Sequence, residues 1–150
     1  MYRGISSVNL DSKGRFSVPT KYRETLCKSG NTLVITIDTE ERCLLLYPIE
    51  VWEGIEEKIQ SLPSFNPATR RIQRLLIGHA TEVDMDAQGR LLLSPVLREH
   101  AMIDKSMVIV GQGKKFEIWS KDHWEKQCDQ WLNQENGGSD ESSALEGISV

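Results

Sequence analysis

The chain has 150 residues, of which 39% are apolar and 27% charged, and its formal net charge is −4. That length and balance suit one compact unit with a sizeable core, and no apolar run approaches the ~20 residues that cross a bilayer. Cys27, Cys43 and Cys128 are odd in number, far apart and without a C-x-x-C pair, which excludes a disulfide framework or a zinc site; with a polar start at Met1-Tyr2-Arg3-Gly4 that is no signal peptide, the expectation is a cytoplasmic protein with no metal and no cofactor.

Taken in order, Ile5 to Leu10 and Arg15 to Val18 alternate, so that Val8, Leu10, Phe16 and Val18 face inward and Ser7, Asn9, Arg15 and Ser17 face out. Between them stands Asp11-Ser12-Lys13-Gly14-Arg15. Gly14 can take a positive φ and Asp11 can accept backbone N–H bonds, which is the chemistry of a tight β-hairpin with an exposed Arg at its rim. Pro19 opens a short helix with Lys21 and Arg23 outward and Tyr22 and Leu26 inward. A second hairpin follows, Leu33 to Ile37 and Arg42 to Tyr47 around a polar turn. Pro48 begins a helix in which Trp52, Ile55, Ile59 and Leu62 recur at helical spacing. Asn66-Pro67 then caps a linking helix through Ile77, exposing Arg70, Arg71 and Arg74 either to solvent or to an acidic partner.

From Thr81 the plan repeats. Asp86-Ala87-Gln88-Gly89-Arg90 is a second copy of the turn, Ser94-Pro95 opens a short helix through Arg98 and Glu99, Met107 to Val110 and Lys115 to Trp119 form a hairpin, and Ser120 caps a helix whose Trp124 answers to Trp52. The chain is an internal duplication, and the expected fold is α+β, mainly β. Residues 1–62 would form the first half, 63–78 a linker helix, 79–131 the second half and 132–150 an acidic tail that frays.

The halves differ in charge. Residues 1–30 carry six basic residues against two acidic ones, whereas residues 129–150 hold five acidic residues and no Lys or Arg. At a constant offset, Lys13, Ser17, Lys21 and Tyr22 become Gln88, Leu92, Val96 and Leu97. The run Leu91-Leu92-Leu93 breaks alternation, which predicts cover on both faces. Leu92, Val96 and Leu97 are the expected contact between subunits, unless they are buried within the chain. A localised basic face counts for more in binding a polyanion than the global sum, so double-stranded DNA is the expected partner, with Arg15, Lys13, Arg3 and Lys21 as contacts.

The repeated turn admits other readings. Asp11 and Asp86 could cap turns and Arg15 and Arg90 could staple them; for Arg90, in the apolar half, the structural role is preferred. Asp11 and Asp86 could instead form a symmetric carboxylate pair of an aspartic-type hydrolase. Against that, neither copy has the Asp-Thr/Ser-Gly tripeptide, His79, His100 and His123 are isolated, and there is no G-x-S-x-G and no Gly-rich phosphate loop. An enzyme is not expected.

Four segments carry a more specific pattern: Y-R-G-x-x-x-V-N-L-D-S-K-G-R-x-S-V-P-x-x-Y-R, L-L-L-Y-P, N-P-x-x-R-R-x-Q-R-L-L-x-G-H-A and D-x-x-G-R-L-L-x-x-P-x-L-R. Together they resemble the MraZ family of bacterial transcriptional regulators of the division and cell-wall gene cluster, from about Met1 to Trp124. The resemblance implies a duplicated AbrB-like swapped-hairpin β-barrel with flanking helices. It also implies a ring-like homo-oligomer on short direct repeats upstream of its own operon, a nucleoid-associated location, and an Asp-x-x-x-Arg motif serving DNA binding. That motif falls on Asp11 and Arg15, and again on Asp86 and Arg90.

Overall fold

The structure is a computed structural model that describes residues 1–134, 141 and 143–149. Among the described residues the strands and α-helices follow one another as β1 (Tyr2–Asn9), β2 (Arg15–Ser17), α1 (Thr20–Leu26), β3 (Thr32–Ile37), β4 (Leu44–Pro48), α2 (Ile49–Gln60), α3 (Pro67–Ile72), β5 (Thr81–Asp84), β6 (Arg90–Leu92), α4 (Pro95–His100), β7 (Ser106–Gly113), β8 (Phe116–Ser120) and α5 (Lys121–Asn133). A π-helical segment, Gln73–Ile77, continues α3 where one regular helix was expected. Of the stretch 132–150 that is expected to fray, residues 135–140, 142 and 150 lie outside the described residues, and Leu132 and Asn133 still belong to α5.

The two repeats do not fold side by side. Six strands form an antiparallel sheet in the order β1-β7-β8-β4-β3-β5, and β2 and β6 form a separate two-stranded ribbon. First-repeat β1 therefore lies on second-repeat β7, with Val8 opposite Met107, while second-repeat β5 lies on first-repeat β3, with Val83 opposite Leu33. In the ribbon, Arg15 faces Leu92, Phe16 faces Leu91 and Ser17 faces Arg90. The strands flanking each Asp-Gly-Arg turn thus pair across the repeats, which corrects the expectation of two self-contained hairpins. Matching bonds seal the exchange: Val18 N–H donates to the Gly89 carbonyl and Leu93 N–H to the Gly14 carbonyl, both at 2.9 Å. Among the described residues the large sheet stays open, with β1 and β5 as its edges, rather than closing into a barrel.

Because both repeats contribute strands to one sheet, they share one core. Leu10, Phe16, Val18 and Leu26 pack in the same cluster as their counterparts Met85, Leu91, Leu93 and Ala101. The other face of the sheet is covered twice, by α2 through Trp52 on Val34, Leu45 and Tyr47, and by α5 through Trp124 beside Val108, Val110 and Trp119. Strands buried on both faces need no alternation, hence the apolar runs of β3, β4 and β7. Cys43 is buried, Cys27 and Cys128 are half-buried, and all three are free thiols.

Several side chains differ from expectation. Leu91 and Leu93 are buried but Leu92 is 56% exposed, so β6 alternates after all. Val96 is also exposed, while Leu97 lies in the core, leaving only Leu92 and Val96 of the expected apolar patch at the surface. Leu62 lies beyond the end of α2 and is exposed. Arg23 does not point away from the core: its Nε donates to the Val18 carbonyl at 2.8 Å, and its side chain lies across Gly89.

That arrangement at Gly89 carries an expected result. Gly89 has φ +77°, and a Cβ there would stand 2.2 Å from Arg23 Nε. Gly89→Ala should cost about 1–2 kcal/mol for the left-handed backbone and about 1.5–3 kcal/mol more if the charged hydrogen bond to Val18 is displaced. Gly14→Ala, with φ +81° and its nearest neighbour, Arg98 Nη1, at 3.3 Å, should cost less. Urea unfolding of both variants at one protein concentration measures the difference.

Candidate nucleic-acid interface

Each turn is built by its Asp. Asp11 Oδ1 accepts the N–H groups of Lys13 and Arg15, both at 2.9 Å, and Asp11 Oδ2 accepts from Arg15 Nε at 2.8 Å. Gly14 N–H closes the turn on the Asp11 carbonyl at 3.0 Å, and Asp11 N–H donates to the Arg15 carbonyl at 2.7 Å. The second turn repeats every bond: Asp86 Oδ1 takes the N–H groups of Gln88 and Arg90, and Oδ2 takes Arg90 Nε at 2.8 Å. The Arg15 backbone N–H does most to hold the Asp11 carboxyl below its usual range, and that of Arg90 does the same for Asp86. Both carboxylates therefore keep their charge to a lower pH than an ordinary one does.

The antiparallel ribbon puts the two turns at its opposite ends, since Arg15 and Arg90 are opposed by Leu92 and Ser17 rather than by each other. The carboxylates of Asp11 and Asp86 are each committed to their own turn. A proton-sharing dyad would raise one of the two pKa values, and both are lowered. With each carboxylate bonded into its own turn at opposite ends of the ribbon, the disfavoured hydrolase alternative has no carboxylate pair to rest on.

Phe16 and Leu91 point into the core, so Arg15, Ser17, Arg90 and Leu92 share the outward ribbon face. Arg15 and Arg90 are diagonal neighbours there, which in a paired ribbon means about 7–8 Å between their Cα atoms. The side chain of Arg15 is 28% exposed, less than its outward position suggested, because Asp11 holds Nε. Its two Nη groups make no hydrogen bond among the described residues, whereas Arg90 Nη2 donates to Gln88 Oε1 at 3.2 Å. So the same scaffold holds one guanidinium at a single nitrogen and the other at two.

The remaining basic candidates separate into two places. Lys13 is exposed on the first turn. Arg3 lies at the far end of β1, six residues or about 20 Å before Asn9. Lys21 joins Arg3 rather than the turn: its Nζ sits 4.9 Å from the Tyr22 ring centre, and the Tyr22 hydroxyl donates to the Arg3 carbonyl. Tyr22 itself packs on Tyr2 and Phe116. Arg98, placed by the sequence in the short helix after Ser94-Pro95, has a position at the first turn that sequence reasoning missed. It lies across Gly14, as Arg23 lies across Gly89, and the available signal was that Arg23 and Arg98 recur at the same offset as the turn glycines.

Fold and site define an internally duplicated α+β protein, mostly sheet, whose repeats exchange strands to present two Asp–Arg turns on one ribbon. A family model described as "MraZ protein, putative antitoxin-like" matches residues 1–75 and again 76–145. The chain is 54% identical over 141 residues to "Transcriptional regulator MraZ" of Legionella pneumophila (strain Corby), covering 93% of both chains. It is 54% identical over 136 residues to the protein of that name from Coxiella burnetii (strain Dugway 5J108-111), covering 90% of both. With the one from Thioalkalivibrio sulfidiphilus (strain HL-EbGR7) it shares 47% identity across the whole of each chain. The chain belongs to the MraZ family, which is named for transcriptional regulation and not for an enzyme activity. None of the helices among the described residues is long and apolar enough to cross a membrane.

Proposed function

We propose that this protein is a sequence-specific, cytoplasmic and nucleoid-associated DNA-binding regulator that acts on short direct repeats upstream of its own gene as a ring-like homo-oligomer. The observation that carries the reading is Arg15, anchored through Nε on Asp11 with both Nη groups unengaged among the described residues, on the outward ribbon face. A guanidinium so fixed presents a preset fork to guanine O6 and N7 or to a phosphate, with little rotamer entropy left to lose. Two-stranded ribbons are among the elements that enter the grooves of duplex DNA. In this reading Asp11 orients Arg15, Lys13 neutralises the adjacent phosphate, and Arg3 and Lys21 meet the backbone further along. Arg90, tied to both Asp86 and Gln88, supports the second turn. The reciprocal pairing of the repeats supports an AbrB-like swapped-hairpin arrangement, with residues 1–62 bearing the primary DNA face, 63–78 as linker, 79–131 as the second half and 132–150 as an acidic tail. Exposed Val96 is the apolar contribution to the ring, while Leu92, expected there as well, lies opposite Arg15 on the ribbon face given to DNA.

Footprinting on the protein's own upstream region tests the reading. Protection of repeats in one orientation is the expected result, and a folded protein that protects nothing up to the highest concentration tested refutes it. The asymmetry of the halves has its own measurement. Lys13→Ala and Lys21→Ala should each flatten the log–log salt dependence of binding by about 0.9 for every phosphate they cease to neutralise, while Gln88→Ala leaves it unchanged. An unchanged slope in Lys13→Ala would remove Lys13 from the phosphate contacts, and a loss of affinity in Gln88→Ala as large as in Lys13→Ala would place the face on both turns.

A further inference from the structure

Arg23 and Arg98 occupy mirror positions, but only one is satisfied. Arg23 donates through Nε to the Val18 carbonyl while covering Gly89. Arg98 covers Gly14 more loosely, with Nη1 3.3 Å and Cζ 3.4 Å from where a Cβ would stand. Its Nε is buried with no hydrogen-bond partner among the described residues, so the bond to Leu93 that would mirror the one to Val18 is not made. Burying one nitrogen of a cation without an acceptor is costly, so among the described residues nothing ties the half-buried guanidinium of Arg98 as the Val18 carbonyl ties that of Arg23; the buried Nε is itself out of a duplex's reach, and the Nη groups are the donors left for an anion.

The position of Arg98 says which ligand. Strand β6 runs towards α4 at the Leu92 end of the ribbon, the end at which Arg15 and the first turn lie. Arg98 therefore adds a cation from the second repeat to a turn built by the first, beside Lys13 and Arg15 and directly on Gly14. The opposite end receives Arg23, whose Nε already has its acceptor. We propose that Arg98 is a phosphate-contacting residue of the DNA interface, so that each binding turn is a composite of both repeats: Arg15 reads the duplex and Arg98 holds its backbone. The proposal rests on the reading of the first turn as a DNA-binding element. It gives the strand exchange a consequence for binding, because only an intertwined chain brings residue 98 to residue 14.

The test compares Arg98→Ala, Arg98→Gln, Arg98→Lys, Arg23→Ala and Arg15→Ala by fluorescence anisotropy. The probes are a duplex of the upstream region and a scrambled duplex, over a series of salt concentrations. Circular dichroism and sedimentation confirm that each variant keeps its fold and assembly; should Arg98→Ala fail to fold, Arg98→Gln, which retains much of the stem, decides. Arg98→Ala and Arg98→Gln should weaken both duplexes by a similar factor, roughly tenfold, and make the log–log slope shallower by about 0.9 for each phosphate released. Arg98→Lys should keep the slope. Arg23→Ala should leave it unchanged in whatever protein folds. An unaltered slope in folded Arg98→Gln overturns the proposal, and so does a loss confined to the upstream duplex, which would make Arg98 a positioning residue for the turn. Wild-type binding by Arg15→Ala would instead strike down the DNA reading of the turn, whatever Arg98 does.

Discussion

Arg15→Ala should abolish specific DNA binding while leaving the protein folded. On the stability side, the residue contributes a partly exposed ion pair with Asp11, and such pairs are worth about 0–1 kcal/mol. Its backbone bonds to Asp11 do not depend on the side chain, so the turn persists. On the binding side, a bidentate base contact is worth about 1–3 kcal/mol. Each subunit engaged on the same duplex would lose that amount again, so the effect compounds. Arg15→Lys should not rescue binding, since an ammonium is a point charge that cannot fork onto a guanine edge. Asp11→Asn separates orientation from contact: it keeps Arg15 but removes the ionic anchor on Nε. It should lower affinity less than Arg15→Ala and leave the preference among repeats intact. Anisotropy with the upstream duplex, alongside thermal unfolding, reads all three; wild-type affinity in folded Arg15→Ala would refute the assignment.

The turn itself was legible because its chemistry is local. Asp, Gly and Arg at fixed spacing specify side-chain acceptors, a positive φ and a rim cation within five residues, and all of those bonds form. The partner of each flanking strand was not legible. In a duplicated chain, pairing within a repeat and pairing with the matching strand of the other repeat satisfy the same alternation, so periodicity cannot tell them apart. Leu92 misled for a related reason: an apolar residue at an outward ribbon position reads as buried when three leucines stand in a row. Helical spacing alone places Arg23 on the helix surface and gives Arg98 no role. What draws them inward is the missing side chain of a glycine in the opposite repeat, a tertiary fact that appears only once the strands have been exchanged. The linking helix was placed correctly at its capped start, where Asn66 Oδ1 accepts from Ala68 N–H. Its π-helical finish at Gln73–Ile77 had no signal in the pattern.

Inserting half a helical turn between two repeats should reduce binding to that of a single repeat. One ribbon end offers Lys13, Arg15 and Arg98, with Arg3 and Lys21 displaced along β1, and so few charges fall short of what specific complexes engage. A lone subunit should therefore bind weakly. When identical subunits sit in a closed ring, the first contact holds the second site at high effective concentration, and affinity rises without any new bond. The gain depends on phase. Repeats about 10 bp apart face the same side of the duplex, and an insertion of about 5 bp turns one of them to the far side. An insertion of about 10 bp restores the phase and should recover part of the affinity, limited by how far the next ribbon lies along the ring. Gel shifts on the three duplexes, with sedimentation of the free protein, measure both requirements. Equal affinity at all three spacings, or tight binding by a protein that sediments as a monomer, would show that a single ribbon suffices and that the ring adds nothing.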